Sequence, residues 1–337
     1  MKKATLITVA FLILAAAVIL FANRKKGEWI EEKRFQMATV TKIVIPRTKM
    51  SGAILQEAFA AIDEVERAAS RFIPESEINS LNDGQWHKLS PVLSPMWEKA
   101  RELYEFSGGR FDPTAGKLIS LWGFGPEGVK KEPTAEEIEE ALRLTGLDKV
   151  EASNDFIRLP KGMRLDLNSL AAGYAADRAA AVLKKHGLTK FLVDAGGEIV
   201  CASPGKKIWD IGIKDPESEN ETSVISLYNG AVSTSGSYAN FYKSGSNSVT
   251  HIVDARTGKA AKTSLLSVSV VAWDGITADG MSTMLFCLPP EEGKKFPTTA
   301  ALFIEEVGGK LKTTKTGEWE NLEKWRAKQD SNLRPTD

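Results

Sequence analysis

The chain has little of what soft-metal and disulfide chemistry needs: two cysteines and three histidines in 337 residues. Cys201 and Cys287 each sit inside an apolar run and no CxxC occurs. That pattern argues against a zinc or iron–sulfur site and reads the thiols as separate core residues rather than a disulfide. An excess of charge of one sign is missing too. With 44 basic residues against 44 acidic ones, no basic surplus is available to hold nucleic acid. The common nucleotide fingerprints are also absent: no GxGxxG follows a strand and no GxxxxGK[ST] occurs, so a dinucleotide bound here needs a different cradle. What remains is ordinary globular composition, 42% hydrophobic and 26% charged, enough for one large domain or two intimate ones.

The amino terminus carries the one long apolar run. Lys2 and Lys3 precede Ala4 to Ala22, and Asn23-Arg24-Lys25-Lys26 closes it. Such a run fits an export signal or a single membrane span. Leu20 spoils a small-x-small cleavage site at Ala22, and no cysteine follows for lipid attachment, so residues 1–26 read as an uncleaved signal anchor. The flanking basic residues nearly balance, which leaves the positive-inside bias weak. Residues 27–36 (GEWIEEKRFQ) read as a polar spacer, 37–320 as the folded domain and 321–337 as a polar tail.

Inside that domain, Ala38 to Ile45 alternates like a strand and stops at Pro46. Ser51 to Arg71 repeats apolar residues at helical spacing, and Pro95 to Phe106 predicts a second helix ended by Gly108-Gly109. Residues 107–128 are glycine-rich and irregular, a length of loop more often functional than not. Thr134-Ala-Glu-Glu137 is a capping box opening a helix to Leu144. Arg164 to Gly187 predicts a strand end running into an alanine-rich helix capped by Asn168 or Ser169. Strands are expected at Lys190–Asp194, Glu198–Ala202, Trp209–Lys214 and Ser223–Tyr228, with Ala301–Glu305 the last. Gly196-Gly197 reads as a hairpin. Strands at hairpin spacing without strict βαβ repetition predict an α+β fold with mixed, mostly antiparallel sheets.

The stretch TSLLSVSVVAWDGITADGMSTMLFCL (263–288) predicts a strand with one buried face, a turn at Asp274-Gly275 and a short apolar helix. Asp279 and Thr283, four residues apart, share one face of that helix. A carboxylate with a hydroxyl suits Mg²⁺, which keeps coordination sites for phosphates, although any surface helix can carry the same pair.

Five segments together narrow the choice: RFDPTAGKLISLWGFG (110–125), LDLNSLAAGYAADR (165–178), AVSTSGSY (231–238), THIVDARTGK (250–259) and TADGMSTMLF (277–286). In order and spelling they resemble the FAD:protein FMN transferase, or ApbE-like, family from about Gln36 to Pro289. The resemblance implies a T-fold-like domain that binds FAD and Mg²⁺ and moves FMN onto a Ser or Thr of a partner protein, releasing AMP. By motif it implies flavin contacts at Met37, Phe72, Arg110, Phe111, Asp112, Asn168, Tyr174 and Thr250. It implies metal ligands at Asp279, Thr283 and the carbonyl of Ala171, and it places His251 as the base with Asp254 orienting it or contacting phosphates. The implied partner is a flavin-accepting subunit of a membrane or exported redox protein, with the catalytic domain on the periplasmic side. FAD hydrolysis to FMN and AMP, or flavin binding without catalysis, are the alternatives. Three positions depart from the family's usual residues: Ala38 for Gly, Ala172 for Lys and Ala255 for Pro.

Overall fold

The computed structural model describes residues 28–129, 131–204, 209–218, 220–237, 241–244, 247–250, 252–260 and 264–323. The expected anchor at 1–26 and most of the 321–337 tail lie outside them, and no helix among the described residues is long and apolar enough to cross a membrane.

One eight-stranded sheet organises the chain. Its strands are β1 (Trp29–Gln36), β2 (Thr39–Pro46), β3 (Phe191–Ala195), β4 (Ile199–Ala202), β5 (Asn229–Gly236), β6 (Leu265–Ala272), β7 (Ala300–Val307) and β8 (Lys310–Gly317). They lie side by side in chain order, every pairing antiparallel. Helices α1 (Ser51–Ala69), α2 (Leu93–Phe106) and α3 (Asn168–Lys185) are inserted between β2 and β3, and α4 (Gly275–Cys287) between β6 and β7. The fold is α+β with mostly antiparallel sheets, as the strand spacing predicts.

Side-chain alternation along the strands divides the interior in two. Phe191, Val193, Val200, Val268 and Val270 join Phe59 of α1, Leu170 of α3 and Met284 of α4 in the main core. Their neighbours Leu192, Cys201, Val232, Val271 and Leu302 point the other way, onto Trp209 and Ile225 of the hairpin Trp209–Lys214/Glu221–Leu227 and onto Trp319. The middle strands are therefore covered on both faces. That corrects the expectation of one buried face for β6, where every residue but Leu266 is buried.

Three boundaries differ from the sequence reading. The expected spacer at 27–36 is mostly β1, an edge strand whose Glu31, Glu32, Lys33 and Arg34 hide its strand character while discouraging edge-to-edge pairing. The strand after Ala301–Glu305, β8, is polar (KLKTTKTG) and was not expected; Gly308 and Gly309, both at positive φ, make the tight turn into it. The domain runs past 320, since the 319–323 helical turn packs Trp319 fully buried and ties Glu323 to Lys315. Within the irregular 107–128 stretch a short helix, Gly116–Leu121, forms. The capping box at Thr134 forms as predicted, with Glu137 N donating to Thr134 Oγ1 and Thr134 N to Glu137.

One helix crossing positions everything that follows. A Cβ on Gly173 of α3 would lie 2.2 Å from the carbonyl oxygen of Gly275, and a Cβ on Gly275 would lie 2.2 Å from that of Gly173. Only glycine permits this approach. It sets the opening turns of α3 against the first half of α4.

Candidate active site

Asp274 caps α4 through Thr277 N (2.9 Å), as the Asp-Gly turn predicts. Asp177 reaches over from α3 to accept from Gly275 N (2.7 Å) and Ile276 N (2.8 Å). Burial pushes its carboxyl up to about 6, against the pull of those two amides.

One turn on, Asp279 is 6% exposed and its Oδ2 accepts from Gly173 N at 2.9 Å. Burial pushes this carboxyl up to about 8, with the Gly173 amide opposing and the charge of Asp177 adding. Glu198, next to the Gly196-Gly197 turn, is raised as well, first by burial and then by the charge of Asp279; the Ser233 hydroxyl bonds to it. The strand period brings Ser233 and Ser235 of β5 under α4. Ser235 Oγ lies 2.8 Å from Ser282 Oγ and 2.9 Å from Thr283 Oγ1, and Ser282 Oγ donates to the Asp279 carbonyl at 2.8 Å. Thr234, pointing the other way, pairs with Ser269 at 2.7 Å. Residues 231–235 (AVSTS) are thus part of strand β5.

The result is a patch of oxygens, buried at Asp279, Ser233 and Ser282 and half-buried at Glu198, Ser235 and Thr283. Among the described residues no ion pair reaches Asp279 or Glu198, and no three His, Cys, Asp or Glu side chains converge. A carboxylate held up in pKa by burial, with a hydroxyl beside it and no protein cation, is a donor set that fits a hard divalent ion. Asp279, Thr283 and the backbone of buried Ala171 would hold Mg²⁺, leaving positions for phosphate oxygens.

The other expected site residues divide. Met37 and Ala38 form the β1–β2 turn with φ of 54° and 57°, a conformation that favours glycine and explains why Gly is usual at the second position. That turn touches the second glycine-rich turn, since a Cβ on Gly196 would meet Thr39 at 2.5 Å. Phe72 is 57% exposed at the end of α1. Asn168 is the first residue of α3 but does not cap it: Leu167 is the N-cap, and Asp166 Oδ1 accepts from Asn168 N at 2.9 Å. Thr250 is buried. Asp254 shares a cavity of about 490 Å³ with Arg110 and Cys287, the last turn of α4 forming one wall. Phe111 is buried in the main core, and Asp112 Oδ1 accepts from Thr114 N (2.8 Å) and Thr114 Oγ1 (2.6 Å). Tyr174 lines a separate groove of about 870 Å³ with Asp177, Trp273 and Ile276, at the opposite end of α4 from Thr283. His251 lies outside the described residues.

Sequence reasoning missed Glu198, Asp177 and Ser235. For Ser235 a signal existed, because serines at 233 and 235 keep the strand period. The carboxylates gave none, because their neighbours come from distant segments.

Residues 37–303 match the ApbE family, and the chain belongs to it. It is 36% identical over 249 residues to the FAD:protein FMN transferase of Klebsiella pneumoniae, covering 70% of this chain and 71% of that one. Its structure is similar to an ApbE protein from Thermotoga maritima (TM-score 0.80, 29% identity, 88% of this chain and 99% of that one). It is similar too to the apo flavinyl transferase ApbE of Pseudomonas stutzeri (TM-score 0.79, 28% identity, 88% and 96%).

Proposed function

We propose that the chain transfers FMN from FAD to a Ser or Thr of a partner redox protein with the help of Mg²⁺, releasing AMP. The observation that carries the reading is the buried Asp279 carboxylate, which no ion pair reaches among the described residues and which the Thr283–Ser235–Ser282 hydroxyls back, in an ApbE-family fold. Bound Mg²⁺ would neutralise charge on the pyrophosphate and on the departing AMP phosphate. Asp279 and Thr283 hold the ion's side of the substrate. The N-terminal end of α3 lies beside this pair, where the helix dipole favours phosphate charge. The acceptor oxygen attacks the FMN phosphorus, the phosphoanhydride bond to AMP breaks, and the acceptor proton passes to His251. That role for His251 rests on its motif between Thr250 and Asp254, and the flavin-stacking role of Phe72 rests on its place in RFIPESE (71–77). The run at 1–26 is proposed as the membrane anchor, with the domain outside the inner membrane.

Incubating the soluble domain with FAD, Mg²⁺ and a Ser/Thr acceptor protein distinguishes the readings. Protein-bound flavin with equimolar AMP is the expected outcome. Free FMN with AMP would replace transfer by hydrolysis, and unchanged FAD would leave a flavin-binding protein.

A further inference from the structure

A buried cation with several hydrogen-bond partners, Arg71, stands beside the exposed Phe72. Arg71 side-chain exposure is 4%, and its Nη2 lies 2.7 Å from Oδ2 of Asp166, itself 8% exposed. Its Nη1 donates to the carbonyl of Gly116 (3.3 Å) and to Ser120 Oγ (3.4 Å), and Nη2 reaches the carbonyl of Phe124 (3.5 Å). Asp166 in turn receives Asn168 N, and its own amide donates to Pro113 O at 2.7 Å. One planar fork thus joins the end of α1, the 113–124 segment and the start of α3. A lysine could not do so, having a single point of charge.

The backbone around Phe72 is fixed from a second side. Asn79 Nδ2 donates to the carbonyls of both Arg71 (3.1 Å) and Ile73 (2.8 Å), bracketing Phe72. An aromatic ring that stays 57% exposed on a backbone clamped at both neighbours is held out rather than collapsed onto the core. We propose that Arg71 is a positioning residue for FAD: anchored on Asp166, it fixes Phe72 as a rigid platform for the flavin ring. This rests on the transferase reading above and adds a residue and a mechanism to it.

The test is a double-substitution cycle on the soluble domain with Mg²⁺ present, comparing wild type, R71K, F72A and R71K/F72A. The readouts are FAD affinity by quenching of flavin fluorescence, KM and kcat for transfer, and Tm. R71K is expected to weaken FAD binding and raise KM by about tenfold, with kcat at saturating FAD within about threefold of wild type. In the F72A background the same substitution should weaken binding by less than about threefold, because the platform it supports is gone. Unchanged FAD affinity in folded R71K, whatever the Tm, overturns the proposal. So does a full tenfold loss that persists in F72A. If R71K does not fold, N79A frees the same two carbonyls and leaves the buried pair intact. It must then show the same KM-selective loss, and an unchanged KM in N79A counts against the proposal. A wild-type protein that binds no FAD would remove the transferase reading itself, whereas binding by wild type and R71K alike removes only the role of Arg71.

Discussion

The two faces of the central sheet are built from the same strands and solve different problems. On the far face, Leu192, Val232, Val271 and Leu302 meet Trp209 and the fully buried Trp319 in an apolar layer. On the helix face β5 begins apolar, with Ala231, and then turns to Ser233 and Ser235 beneath Ser282 and Thr283 of the helix that carries Asp279. A buried carboxylate with no cation is a liability for stability. That the helix face carries one, together with Glu198, is what separates a ligand site from a core. The difference teaches that the site lies where the apolar alternation stops while burial continues.

The sharpest way to break this comparison is Asp279→Asn. It keeps the shape and the acceptor for Gly173 N but removes the charge. Transfer should fall by about 10²–10³-fold, while the metal-free protein melts no lower than wild type. A variant that turns over normally in Mg²⁺ would end the assignment of this face. The mirror experiment is Trp319→Ala on the far face, expected to cost about 3–5 kcal/mol of stability with KM for FAD unchanged in the folded fraction. A selective KM effect there would show that the two faces are not independent.

Asp177 tests the border between them. Its carboxyl sits at about 6 in the folded chain against 3.8 in an ordinary one. The folded state therefore holds its proton longer than the unfolded state, and the associated stability is present below pH 4 and lost as pH rises through 6. Relative to Asp177→Asn, which cannot titrate, wild type should lose about 2–3 kcal/mol between pH 4 and pH 7. Urea unfolding of both proteins across that range measures it, and a pH-independent difference would refute the burial argument.

How much of this was legible follows from the same contrast. The strand–turn–helix at 263–288, the capping box at Thr134 and the helix over 51–69 all rest on local periodicity, and the structure contains them. β1 and β8 were hidden because edge strands carry charges and threonines in place of the apolar alternation. Asp279 and Thr283 were visible as a helical pair, but nothing local distinguished them from a solvated face. Their hydrogen-bond partners are Gly173 and Ser235, 106 and 48 residues away in the chain. Arg71 and Asp166, distant in the chain, are joined only by tertiary structure.

The smallest expected effect concerns the backbone at the site's edge. Ala38 holds φ at 57° in the turn that leads β1 into β2, and Met37, at 54°, packs partly against the main core. The left-handed conformation costs an alanine about 1–2 kcal/mol, and part of that returns as the greater unfolded-state entropy of glycine. Ala38→Gly should therefore stabilise the protein by about 0.5–1 kcal/mol, read as a higher urea midpoint at unchanged slope. The turn also touches Gly196 through Thr39, so relaxing it tests whether the strain serves the ligand. Stabilisation with unchanged FAD affinity means the alanine is simply a poor turn residue. Stabilisation with weaker FAD binding means the strained turn holds Met37 in place, and the helix face then trades stability for its ligand at a second point besides Asp279.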